Sequence, residues 1–220
     1  MTTAPPSVVP ELVADETERT ILEAFGGRRG LLDGGLPPLV FVSVNAVVGA
    51  HAARPEALTA AIAASSAVGV AAVVARLVRR ESLRQALAGL AGLALAVAFA
   101  LRSGEARGFF LPGIYVDAAY GLVFAGSAVL GRPLVGTLWR LLHRRRGVRR
   151  TDAHLQRRFT VATLGWAVVF ATRATVQALF YLDDRPGLLA AAKLLLGWPL
   201  TAAALALTLG YLGRGSRVSR

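Results

Sequence analysis

The apolar residues of this chain fall into long blocks that are separated by short charged stretches. A helix that crosses the hydrocarbon core of a bilayer needs roughly 17–25 residues. The first block is short for this purpose, and the others are long enough. The pattern therefore predicts an all-α fold, a polytopic membrane bundle of six transmembrane helices at about 37–51, 57–77, 84–102, 109–131, 159–181 and 187–212.

Polar segments flank and interrupt this predicted transmembrane domain, 37–213. Residues 1–17 are rich in Thr, Pro and acids, which predicts a disordered tail. Residues 18–36 form a predicted interfacial, Gly-rich segment whose glycines interrupt regular structure up to Pro37 and Pro38, with the motif GGRRG at 26–30 as a turn. A basic loop at 132–158 follows the fourth span, and its residues 134–142 either extend the fourth helix or lie along the interface. Residues 214–220 form a basic tail.

Charge gives an independent test of this topology. The chain has a formal net charge of +12, from 25 Lys+Arg and 13 Asp+Glu, and its arginines concentrate in alternate loops. Cytoplasmic loops carry the excess of cations in membrane proteins. We therefore expect a multi-pass protein of the inner or plasma membrane with both termini in the cytoplasm. Its six spans would form three consecutive hairpins.

The basic loop carries the densest run of cations, HRRRGVRR at 143–150. Such a run attracts phosphates, but it lies where topology requires cations and has no interleaved aromatic residues. We expect its arginines to face anionic lipid headgroups of the bilayer or a protein partner, and we expect no nucleic acid. The candidates are Arg144, Arg145, Arg146, Arg149 and Arg150.

Catalytic and metal-binding motifs do not stand out. There is no cysteine, which excludes disulfides and thiol chemistry. The three histidines, at 51, 143 and 154, have no metal-ligand spacing. Paired catalytic carboxylates and Ser–His–acid arrangements are not recognisable. We therefore expect no enzyme activity, no cofactor and no metal.

Small residues indicate where helices approach one another in a bilayer, because close backbone packing drives helix association there. The second block, at 57–75, is nearly continuous in Ala, Ser and Gly. Gly89 and Gly92 in the third predicted helix, and Gly121 and Gly126 in the fourth, offer similar surfaces. We expect all of these to be packing positions.

Ionisable residues inside a membrane are costly and suggest a functional site. At about 1.5 Å per residue, three of them fall in one layer in the outer half of the bundle, together with nearby polar side chains. We expect Asp117 to pair with Arg173 or Lys193, which leaves a net positive site. The cluster is either a structural lock on helix register or a site for a small anionic ligand. Its predicted members are Asn45, Asp117, Tyr120, Arg173, Gln177 and Lys193.

Several phrases of the sequence resemble a known family, in the same order and spacing over about 19–213. They are GGRRGLLDGGLPPLVFV at 26–42, GFFLPGIYVDAAYG at 108–121, GRPLVG at 131–136, ATRATVQALFYL at 171–182 and AKLLLGWPL at 192–200. The family they resemble is an uncharacterised actinobacterial membrane family, domain of unknown function 3159. The resemblance implies a polytopic membrane protein, and in the family pattern an amide often stands where this chain has Asp117. The layout also resembles, at the level of the fold, the intracellular septation protein A type of membrane protein, which implies a cell-envelope role.

Two functional hypotheses follow. The first is a small transporter or channel-like protein whose polar layer handles an anion or an amphiphile. The second is a non-transporting envelope protein that holds partners or anionic lipids through its basic cytoplasmic loop.

Overall fold

The computed structural model describes residues 27–79, 83–142 and 153–213. These ranges are all-helical and contain no strand. A 3₁₀ segment, Ala106–Phe110, leads directly into the fourth helix. The α-helices are α1 (Gly27–Gly49), α2 (Arg54–Val78), α3 (Leu83–Ser103), α4 (Leu111–Val129), α5 (Leu134–Leu142), α6 (Ala153–Leu182) and α7 (Pro186–Gly213).

Four helical segments are long and apolar enough to cross a membrane: Arg54–Val78, Ala106–Val129, Leu155–Leu182 and Pro186–Leu212. Two shorter apolar stretches, Gly35–Gly49 and Leu87–Ser103, coincide with the first and third predicted spans. All six apolar blocks are thus helical in the structure, and four of the helices have the length and composition of membrane spans.

α1 begins earlier than the sequence pattern predicts. It is helical from Gly27 and continues through Pro37 and Pro38, so the prediction of an irregular segment up to these prolines, with a turn at 26–30, is wrong over the described part. Glycine and proline weaken a helix in water. In a bilayer an irregular backbone costs more, because its polar groups find no water to bind.

The predicted tails and the basic run lie largely outside the described residues. This applies to 1–17, to 18–26 of the interfacial segment, to the candidate arginines at 144–150 and to 214–220. Residues 134–142 form α5, a helix separate from α4. The break falls at Gly131, whose φ of +68° is a left-handed conformation that favours glycine.

The helices pack as two groups. α2 packs extensively on α1 and also against α3, while α6 packs extensively on α4 and also against α5 and α7. Contacts of α1 with α7 and of α3 with α4 join the groups. α4 therefore has α6, not α3, as its main packing partner. The contact depends on shape, since Gly121 of α4 brings its backbone close to Ala171 of α6, where an added Cβ would lie 3.5 Å from the amide nitrogen.

An aromatic cluster lies where the groups meet. The ring of Phe41 from α1 stacks on Phe109 with centroids 4.2 Å apart, and Phe110 meets both rings edge-on at 6.3 and 5.4 Å. Leu58 and Leu189 complete the buried core around them. The 3₁₀ segment thus inserts two rings between α1 and α7 and fixes where α4 begins.

Candidate functional site

An ion pair joins α4 to α6 inside the bundle. The Nη2 of Arg173 lies 3.2 Å from Oδ1 of Asp117, and their side chains are 18% and 8% exposed. The predicted pairing of Asp117 with Arg173 is therefore confirmed. Since a buried charge without a partner is far more costly than a paired one, each residue makes the other tolerable at this depth.

Two neutral side chains extend the pair. The amide nitrogen of Gln177, which is fully buried, donates to Oδ2 of Asp117 at 2.8 Å and to the carbonyl of Arg173 at 3.2 Å. On α7, the hydroxyl of Thr201 accepts from Nη1 of Arg173 at 3.3 Å and donates to the Gly197 carbonyl. We call Asp117, Arg173, Gln177 and Thr201 the Asp117 cluster. It connects α4, α6 and α7.

One buried polar atom of this cluster lacks a hydrogen-bond partner among the described residues. The Nε of Arg173 is buried and has no hydrogen-bond partner within the described ranges. The guanidinium carbon lies 5.7 Å from the centre of the Phe170 ring, which offers its π-face to the cation. The guanidinium is thus held on its Asp117 and Thr201 sides and rests against an aromatic ring on another.

Lys193 of α7 does not join the Asp117 cluster. It makes no ion pair or hydrogen bond with the residues that the structure describes. Its ammonium lies 5.7 Å from the centre of the Phe110 ring, and a Cβ added to Gly113 would stand 3.4 Å from Nζ. The carboxylate of Asp117 therefore pairs with Arg173. Lys193 remains a separate cation beside the first turn of α4.

Lys193 lines a cavity of about 370 Å³. We call this space the Lys193 cavity. Its walls come from α1, α2, α3, the 3₁₀ segment, α4 and α7, and most of them are apolar. Arg76 in the last turn of α2 contributes a second cation, and no carboxylate is among the described lining residues. The volume is within the usual range of ligand pockets, about 300–1,000 Å³. The lining residues are Pro37, Pro38, Gly69, Ala72, Val73, Arg76, Gly89, Leu90, Gly92, Leu93, Leu95, Ala96, Phe109, Pro112, Gly113, Val116 and Lys193.

Asn45 lies at a different place from its predicted layer. It lines a second cavity, of about 440 Å³, together with Arg54, Glu105 and Asp184. We call this the turn cavity, because residues of the α1–α2, α3–α4 and α6–α7 connections surround it. Depth along the helix axis placed Asn45 beside Asp117 in the sequence analysis, but α1 packs on α2 and α7 and has no extensive contact with α4.

Tyr120 also lies apart from the cluster. Its side chain is half exposed and packs on Phe170 with ring centroids 5.2 Å apart. Its ring contact is with Phe170 of α6, and its hydroxyl makes no hydrogen bond with the described residues of the Asp117 cluster. Tyr120 therefore lies outside the Asp117 cluster.

Two carboxylates that line the turn cavity, Glu105 and Asp184, belong to a charge group that the sequence analysis did not predict. Arg107 Nε donates to Glu105 Oε2 at 2.5 Å and lies 3.7 Å from Asp184 Oδ1. Its Nη1 donates to the Tyr181 carbonyl at 3.1 Å. The hydrogen bond from Arg107 lowers the pKa of the Glu105 carboxyl below its ordinary value of 4.5. The short charged phrases at 102–107 and 183–185 were the available signal, since both connect adjacent apolar blocks.

The sequence comparison agrees with the family resemblance. A family model described as "Protein of unknown function (DUF3159)" matches residues 25–218. No curated protein and no solved structure matches the chain. Because the matched region includes all seven helices from Gly27 to Gly213, the chain belongs to the DUF3159 family of proteins of unknown function.

Proposed function

We propose that this protein is a small transporter or channel-like protein of the cell membrane that moves an anionic ligand through the Lys193 cavity. The observation that carries the proposal is the ammonium of Lys193, which lines an apolar cavity and has no carboxylate within 4.0 Å among the described residues. An ionisable group in a membrane-spanning segment is expensive and marks a substrate or ion pathway by default. An anion that enters the cavity would supply the missing countercharge.

The Asp117 cluster supports this division of roles. Its single carboxylate contacts Arg173 and Gln177 and makes no direct contact with Lys193. A purely structural lock would need only the Asp117–Arg173 pair. Lys193 adds a positive charge without a hydrogen bond to another helix among the described residues, which supports a role in binding.

The topology that we propose has six spans and both termini in the cytoplasm. Supporting it, the turn cavity brings together Gly49 and Arg54, Gly104 and Glu105, and Asp184. These residues come from three connections that carry few arginines in the sequence, as expected for the exterior. In this orientation Lys193 and the Asp117 cluster lie in the outer half of the bundle.

Transport in liposomes tests the proposal. The probes are chloride, inorganic phosphate and a fluorescent single-chain lipid with a phosphodiester headgroup, the lipid being followed by bleaching from outside. We expect at least one probe to move faster than in protein-free vesicles, and Lys193→Met to lower that rate at least tenfold. Arg185→Met is the matched control, because it removes an exposed cation eight residues before Lys193 that does not line the cavity.

Two results would overturn the proposal. One is that no probe moves faster than in empty vesicles. The other is that Lys193→Met, inserted and as thermally stable as the parent, transports at the parent rate. In either case the envelope role through the basic loop becomes the hypothesis to pursue.

A further inference from the structure

We propose that the ligand of the Lys193 cavity is a single-chain amphiphile with a monoanionic phosphodiester headgroup, drawn from the surrounding bilayer. This inference rests on the proposed function and names its substrate class. The headgroup would lie at Lys193 and the acyl chain along the apolar wall formed by α2 and α3.

The positive charge at Lys193 indicates a headgroup with a single negative charge. Lys193 makes no ion pair or hydrogen bond with the described residues, whereas Arg76, the other lining cation that the structure describes, has an interaction partner. A phosphodiester carries one negative charge and matches one ammonium. Gly113 leaves space beside Nζ, since even a methyl group there would approach it to 3.4 Å. A zwitterionic headgroup would bring its own cation next to Lys193, and like charges repel.

The apolar wall of the cavity, formed by α2 and α3, indicates that the ligand also has an acyl chain. From Gly89 to Ala96, the lining residues of α3 cover about 10 Å of helix at 1.5 Å per residue. Leu93 and Leu95 present aliphatic surface there, opposite Val73 of α2. A small inorganic anion would leave this apolar surface unused.

The volume limits the number of chains. A water-sized group occupies roughly 30 Å³ in the liquid, so about 370 Å³ corresponds to about a dozen methylene-sized groups. That space suits the headgroup together with part of one acyl chain, and it leaves little room for a second chain. A single-chain lipid therefore fits better than a diacyl lipid.

Two glycines allow the binding of the acyl chain to be tested separately from the binding of the headgroup. Gly89 and Gly92 line the cavity, and a Cβ added at either would meet nothing within 4 Å. Gly92→Leu thus adds a side chain at the cavity wall, where its Cβ meets no described neighbour within 4 Å. Gly165→Leu is the matched control, because Gly165 also has open space around it and lies on α6, away from the cavity.

Binding is measured in nanodiscs of zwitterionic diacyl lipid with fluorescent lysophosphatidylglycerol, the protein's stability being checked by thermal unfolding. Competitors are unlabelled lysophosphatidylglycerol, lysophosphatidylcholine of the same chain, diacyl phosphatidylglycerol and the free glycerophosphodiester. We expect saturable binding that unlabelled lysophosphatidylglycerol displaces at least tenfold more effectively than any other competitor. Lys193→Met and Gly92→Leu should each weaken binding at least tenfold, while Gly165→Leu should remain near the parent.

The outcomes distinguish failure of the amphiphile inference from failure of the proposed transport function. If the free phosphodiester competes as well as the lysolipid and Gly92→Leu changes nothing, while Lys193→Met abolishes binding, the anion site stands and the amphiphile is wrong. Equal competition by the zwitterionic or the diacyl lipid also overturns the inference. If stable Lys193→Met binds every probe as the parent does, both this inference and the proposed function fail.

Discussion

Arg173 Nη2 and Asp117 Oδ1 lie 3.2 Å apart across the contact between α4 and α6, and both side chains are largely hidden from solvent. The pair therefore has little water to stabilise either charge alone. Removal of one partner leaves the other uncompensated, which makes this contact the most sensitive polar point of the α4–α6 interface.

We expect Asp117→Ala to destabilise the folded protein by about 3–5 kcal/mol, the usual cost of breaking a buried pair on one side. The double variant Asp117→Ala/Arg173→Met should recover part of this loss, because it leaves no unpaired charge. Chemical unfolding in detergent measures both. Asp183→Ala, which removes an exposed acid, serves as the control and should change stability little. Strictly additive single-variant effects would show that the pair is not coupled.

We expect Gly121→Leu to weaken the α4–α6 contact, because its side chain would have to displace the backbone of Ala171 and the Cβ of Phe170, both within 3.6 Å of an added Cβ. Overpacking of this kind costs about 1–3 kcal/mol. Gly126→Leu, five residues along the same helix, has open space and should leave the thermal midpoint unchanged. Equal effects of the two substitutions would contradict the close approach at Gly121.

We expect Gly136→Ala to loosen α5 from α6. A Cβ at position 136 would lie 2.8–3.0 Å from three carbons of Phe159, a ring that is fully buried. Since such distances require the ring to shift, we expect a loss of about 1–3 kcal/mol. Phe159→Ala removes Cγ and Cδ2, the two nearest of these carbons, so the double variant should be more stable than the sum of the single effects predicts. A neutral Gly136→Ala would argue against the packing of α5 described above.

We expect the α3–α4 connection to lose stability in acid through Glu105. The pKa of Glu105 is lowered in the folded state by its hydrogen bond from Arg107, so its contribution is complete above the ordinary value of 4.5 and is lost as the pH falls through the lowered folded value. The thermal midpoint of the parent should fall over this range. Glu105→Gln should show a smaller fall, and an identical pH profile would remove Glu105 as the cause.

We expect the absence of cysteine to make topology directly measurable with single-cysteine variants. Ala52→Cys and Asp183→Cys lie in the α1–α2 and α6–α7 connections and should react with an impermeant maleimide in intact cells. Leu130→Cys, in the exposed α4–α5 connection, should react only after permeabilisation. Labelling of position 130 from outside would reverse or refute the proposed orientation.

The sequence predicted the helices well and the rotation of each helix poorly. Long apolar blocks mark where the chain is helical in a bilayer, and all six blocks proved helical. Most of these helices are apolar around their whole circumference, so hydropathy does not say which side faces the bundle. This is why Tyr120 was grouped with the polar layer by depth alone, although its ring packs on Phe170 and its side chain is half exposed.

The glycines show the same limit. Gly121 was predicted to be a packing position and has the backbone of α6 within 3.5 Å of an added Cβ. Gly89, Gly92 and Gly126 were predicted to pack in the same way, and an added Cβ would meet nothing within 4 Å at any of them. Small size permits a close approach but does not require one, so only the assembled helices distinguish the two cases.

The pairing of Asp117 with a cation was predictable because a buried carboxylate needs a partner, and this need does not depend on how each helix is rotated. One carboxylate and two cations at similar depth leave few ways to limit the cost of burial. The choice of Arg173 over Lys193 depended on which helix packs on α4, and that information lies in side-chain shape. Thr201 and Gln177 then complete the cluster because they lie next to the guanidinium and the carboxylate.

The connections around the turn cavity are short: residues 50–53 join α1 to α2, 104–105 join α3 to the 3₁₀ segment, and 183–185 join α6 to α7. Proteases need a stretch of loose chain to enter their clefts, which such tight links do not provide. A protein presented to the medium through this side would consequently resist digestion on intact cells and offer antibodies almost no linear epitope, so a detection tag belongs at a chain terminus.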